Sequence, residues 1–112
     1  MKIDSRTVGD VHILDCSGKI ILGQGTMDVR NTVLDILKTG GRKIVLNLAE
    51  VNYIDSSGVG ELVSTYTTVL NQGGQLKLLC LTKKIQEILA ITKLLTVFQT
   101  YDNETATLAS FA

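Results

Sequence analysis

The run Ile44-Val45-Leu46-Asn47-Leu48 limits what this chain can fold into more than any other stretch. A strand with one wet face alternates apolar and polar residues. This run is apolar at positions that point to both faces, so it predicts a strand covered above and below, as in a parallel or mixed sheet. It is the expected central strand, and helices must supply the covers. Val29, Val33, Ile36 and Leu37 recur at i, i+4, i+7 and i+8 and share one helical face. Gly23-Gln24-Gly25 breaks the chain before that helix, Thr26 is its expected N-cap, and Gly40-Gly41 is its stop. Val59, Leu62, Val63, Tyr66, Val69 and Leu70 trace a second and clearer helical face, ended by Asn71-Gln72-Gly73-Gly74.

The remaining segments complete the alternation. Lys2 to Thr7 and Val11 to Ser17 read as a hairpin around Val8-Gly9-Asp10, and Gly18 ends it before a further β-prone stretch, Lys19 to Leu22. Leu76 to Leu81 reads as a strand, and Thr82 caps a helix carrying Ile85, Ile88, Leu89 and Thr92 inward. Leu95 to Thr100 is a short extended segment. Asn103 to Ser110 is a terminal helix whose Leu108 and Phe111 pack back onto the body. A hairpin followed by alternating strands and helices predicts an α/β fold, a mixed β-sheet packed against helices with right-handed crossovers. The 112 residues contain no internal repeat and no block of five like charges, so residues 1–112 are expected to form one domain.

Composition removes several functional classes. Eleven Lys and Arg balance eleven Asp and Glu, so no general field draws the chain onto nucleic acid or an anionic bilayer. No apolar run approaches the roughly 20 residues needed to span a membrane, and Met1-Lys2-Ile3-Asp4-Ser5-Arg6 does not open a signal peptide. A cytoplasmic location without membrane insertion is expected. Cys16 and Cys80 stand far apart within apolar segments and are expected to be buried, reduced thiols. With His12 as the only histidine there is no metal-ligand spacing, and no cofactor is expected. Gly23-Gln24-Gly25 and Gly40-Gly41-Arg42-Lys43 complete neither a P-loop nor a dinucleotide fingerprint. Lys83 and Lys84 read as a solvated helix face.

The chemistry concentrates in Asp55-Ser56-Ser57-Gly58-Val59-Gly60-Glu61, small polar residues and two glycines between a buried strand and an amphipathic helix. The first N–H groups of a helix lack intrahelical partners, and the helix dipole makes that end partly positive, so an oxyanion or a phosphorylated hydroxyl is tolerated there. Gly58 and Gly60 leave room for another chain's backbone. Read without further context, Asp55 or a serine simply caps the helix.

The segment Val51-Asn52-Tyr53-Ile54-Asp55-Ser56-Ser57-Gly58-Val59-Gly60 resembles the signature of STAS-domain anti-sigma factor antagonists. Lys43 to Leu48 is similar to the family's strand before the motif, and Gly73-Gly74-Gln75-Leu76-Lys77-Leu78 to the segment after its helix. The resemblance implies that Ser56 is the phosphoacceptor of a serine/threonine kinase that doubles as the anti-sigma factor. Ser57 is implied to be a supporting hydroxyl, and Asp55 to Gly60 part of the partner surface. It implies further that a serine phosphatase restores the binding form, and that the protein acts by association and not as an enzyme.

Phosphorylation adds about 1.5 to 2 negative charges with strong hydration, so a serine that fits a close interface as a hydroxyl is expelled from it as a phosphate. Asp55 adds like-charge repulsion, and the helix N–H groups offset part of it inside the fold. Partner affinity should therefore change far more than stability or backbone shape. Many relatives carry an acidic residue after the glycine corresponding to Gly18. Lys19-Ile20-Ile21-Leu22-Gly23-Gln24-Gly25-Thr26 has none, which leaves the identity of the kinase open. The alternative is an adaptor subunit of a transport or signalling complex that uses the same surface without phosphorylation. A serine hydrolase would need a base near Ser56, yet His12 falls in the opening hairpin and the motif lacks the G-x-S-x-G elbow.

Overall fold

The computed structural model of the chain describes residues 1–111. Strands β1 (Lys2–Val8) and β2 (Val11–Ile20) pair antiparallel around Gly9, whose φ of +62° is the left-handed conformation that a tight hairpin turn demands. Helix α1 (Gln24–Lys38), strand β3 (Lys43–Ile54), helix α2 (Ser56–Asn71), strand β4 (Gln75–Leu79), helix α3 (Lys83–Ile91), strand β5 (Gln99–Tyr101) and helix α4 (Glu104–Ala109) follow. The strands lie in sequence order in one sheet, β2 through β5 parallel to one another, which makes the sheet mixed.

β3 is central, and Ile44, Val45, Leu46 and Leu48 are fully buried, as a strand covered on both faces requires. Alternation sends Ile44, Leu46 and Leu48 to one face, where they join Val29, Val33, Leu62, Val69, Ile85 and Leu89 from α1, α2 and α3. Val45 points the other way into a smaller cluster with Val11, Ile13, Leu79 and Phe111, covered by α4. The body is thus asymmetric, with three helices on one face and one short helix on the other.

Several expectations need correction. Thr26 does not cap α1. The helix begins a turn earlier, from Gly23 at φ +106°, and Thr26 donates its hydroxyl to the Gly23 carbonyl at 3.0 Å. Gly25 lies within the helix, where a side chain would strike the Lys19 carbonyl, so this glycine serves close packing and not a break. β2 does not end at Gly18. It runs to Ile20, with two register irregularities against β3 absorbing the extra residues. β4 stops at Leu79, short of Leu81, because Cys80 turns left-handed (φ +56°) and donates its N–H to the Tyr101 carbonyl. The extended segment after α3 shrinks to Gln99–Tyr101. Leu70 and Thr92 are exposed, their helical stripes having rotated away. Cys16 is buried, which pushes its thiol up to about 12, whereas Cys80 is only half-buried. Both are free thiols.

Candidate functional site

At the end of β3 the chain turns through Asp55 straight into α2, and that residue's carboxylate organises the junction. Oδ1 accepts the Gly58 N–H at 2.7 Å, which caps the helix, and Oδ2 accepts the Leu22 N–H at 3.1 Å from the segment joining β2 to α1. These two backbone donors, Gly58 first, hold the Asp55 carboxyl below the usual aspartate range. One side chain therefore fixes the first turn of α2 and the neighbouring loop together.

Gly58 makes the junction possible in a way the sequence reading misassigned. A Cβ at this position would run into the Ile20 carbonyl oxygen and the Ile54 side chain, so the space it leaves is filled by this chain's own β2 and β3. Gly58 and Val59 are buried and support the turn from beneath. Gly60 does face open space, with nothing within 4 Å of where a side chain would start. Ser56, the first residue of α2, is exposed. Asp55 and Ser57 are half-buried beside it.

Residues to which the sequence reading gave no individual role complete the site. Leu22, tied by its N–H to Asp55, is 75% exposed, which gives the surface an apolar anchor. Between α1 and α2 runs a groove of about 310 Å³, bounded by Leu22 and Arg30 on one side and by Ser57, Gly60 and Ser64 on the other. Arg30 donates from Nη2 to Glu61 Oε1 at 2.6 Å, and Glu61 Oε2 accepts the Thr65 hydroxyl at 3.0 Å. Glu61 is buried. Its spacing contained a signal, since Gly58, Glu61, Leu62, Thr65 and Val69 recur at i, i+3, i+4, i+7 and i+11, the buried stripe of α2.

His12 lies at the opposite end of the sheet from Ser56. It pairs with Ile44 near the start of β3 and packs beside Gly41, roughly 30 Å of strand away from the junction. It cannot serve Ser56 as a base. Among the described residues no three His, Cys, Asp or Glu side chains approach closely enough to hold a metal ion. No described helix is long and apolar enough to cross a membrane.

The fold and site define a small α/β domain that presents a serine at a helix mouth, on an open surface beside the exposed Leu22. Residues 2–106 match the family model of the STAS domain, and the chain belongs to that family. A Thermotoga maritima protein named as a candidate anti-sigma factor antagonist is 31% identical over 97 residues, spanning 87% of this chain and 86% of the relative. A crystal structure of a candidate anti-sigma factor antagonist from Thermotoga maritima superposes with a TM-score of 0.88 at 26% identity, covering 96% of this chain and 92% of that one. The Bacillus cell fate determinant SpoIIAA in its phosphorylated form shares the fold, with a TM-score of 0.71 at 17% identity over 94% of this chain and 96% of its own.

Proposed function

We propose that this STAS domain is an anti-sigma factor antagonist switched by phosphorylation of Ser56. In its unmodified form it binds an anti-sigma factor serine/threonine kinase in the cytoplasm, so that the sigma factor is released. The observation that carries the reading is the exposed Ser56 at the mouth of α2, on a turn clamped by Asp55 and flanked by Leu22. In the switching step Ser56 Oγ attacks the γ-phosphorus of ATP, its proton passes to the kinase's base, and ADP leaves. A serine phosphatase then hydrolyses the ester to the free hydroxyl and inorganic phosphate. The chain contributes the acceptor and the docking surface, and the catalytic groups belong to its partners.

The similarity of name and fold among relatives supports the antagonist role. The test is to incubate the protein with anti-sigma factor kinases of its source organism and ATP, then measure intact mass. A single phosphate adduct that Ser56→Ala abolishes and Ser57→Ala leaves in place is expected. A protein that binds such a partner yet never gains the adduct would instead be an adaptor.

A further inference from the structure

The groove beside the junction holds a cation whose partner is almost completely buried. The Glu61 side chain is 5% exposed and keeps both oxygens engaged, one by Arg30 and one by Thr65, while the Arg30 side chain is 55% exposed along the groove. Arg30 contributes the only cationic side chain to the groove wall. Ser56 stands one helical turn before Gly60, so the two are neighbours on the surface of α2. Gly60 lines the groove beside Ser57, and open space meets the point where a Gly60 side chain would start.

We propose that when Ser56 carries a phosphoryl group, Arg30 binds that phosphate across the groove while Glu61 keeps hold of the guanidinium from behind. The inference rests on Ser56 being the phosphoacceptor and adds how the modified state is held. A guanidinium has five N–H donors in a planar fork, so Nη2 can stay on Glu61 while the remaining edge turns to the phosphate oxygens. Leaving Glu61 altogether would strand a buried carboxylate, which the bridging arrangement avoids. Asp55 makes no ion pair with Arg30, whose carboxylate partner is Glu61, and its two oxygens accept the Gly58 and Leu22 N–H groups. Arg30 thus reports the modification from α2 to α1, and the surface presented by Leu22 is altered by a redirected cation as well as by the new anion. Glu61 acts as a positioning residue, aiming Arg30 without touching the phosphate.

The test uses the full chain with phosphoserine encoded at position 56 during translation, so no kinase is involved, and follows the phosphate by 31P NMR through a pH titration. Arg30→Gln should raise the second phosphate pKa by about half a pH unit or more, because the nearby positive charge that favours the dianion is gone. Arg30→Lys, which keeps the charge but loses the fork, should fall between the two. Lys38→Gln, at the far end of the same helix, measures the effect of removing any surface cation. Equal shifts for Arg30→Gln and Lys38→Gln would overturn the inference. Failure of every kinase to modify the unmodified protein would count against the proposed function instead.

Discussion

Gly58 and Gly60 stand two residues apart in the same motif and do opposite things. Alanine at 58 would push a methyl group into backbone that cannot retreat, the Ile20 carbonyl, whereas alanine at 60 meets open space within a helix. Gly58→Ala should destabilise the protein by about 1 to 3 kcal/mol, and Gly60→Ala should stabilise it by roughly 0.5 to 1 kcal/mol, read from urea midpoints at constant slope. Asp55 carries the complementary polar role. Its pKa is depressed in the folded state, so the stability it contributes is complete above the unfolded value near 4. That contribution is lost as the pH falls through the lower, folded value. Asp55→Asn should flatten the acid limb of a melting-temperature curve and leave its neutral plateau with the same shape. The junction itself was legible as a helix start, because Asp55 and the serines before an apolar helical period are capping residues, and the structure assigns the cap to Asp55. The two glycines were not separable in sequence, since their difference depends on β2 and β3, which arrive from 38 and 4 residues upstream of Gly58 at Ile20 and Ile54.

At the scale of elements, α1, α2 and α3 are held by broad apolar stripes, whereas the six residues of α4 are held by a few named contacts. Asn103 caps it through the Ala106 N–H, and Arg6 on β1 binds both Glu104 and Asp15. At its other end Lys77 donates to the Ser110 carbonyl at 3.0 Å and to its hydroxyl at 2.7 Å, with the ammonium 4.3 Å from the Phe111 ring centroid. Phe111 fills the small cluster over Val11, Ile13, Val45 and Leu79. Phe111→Ala should cost about 3 kcal/mol by leaving a cavity, while Arg6→Ala should cost less than about 1 kcal/mol, because its partners are a third or more exposed. Thermal unfolding in low and high salt separates the two, since only the arginine contribution is screened. Hydrophobic period made the strands and the three long helices legible. It failed at element ends, where α1 starts at a left-handed glycine and β4 stops at a left-handed cysteine, because those ends answer to packing and backbone geometry that periodicity does not encode.

For the whole molecule, charge is distributed so that acid is the vulnerable direction. The Lys43 ammonium depresses Asp10, the Arg6 guanidinium depresses Asp15 and Glu104, and the Gly58 N–H depresses Asp55. All four favour the folded state when ionised, so stability should be level from about pH 5 to 7 and fall once the pH drops below about 4. At neutral pH the same body should accommodate a phosphate on the exposed Ser56, at the N–H end of α2, and melt close to the unmodified protein. The central claim is that this phosphate acts on association and not on folding. The most direct test is calorimetric titration of the cognate anti-sigma factor kinase with the unmodified protein and with the protein carrying phosphoserine at position 56, alongside their melting temperatures. The account predicts at least a hundredfold weaker binding, about 2.7 kcal/mol, with nearly equal melting temperatures. Equal affinities, or weaker binding explained by an unfolded phosphoprotein, would contradict it.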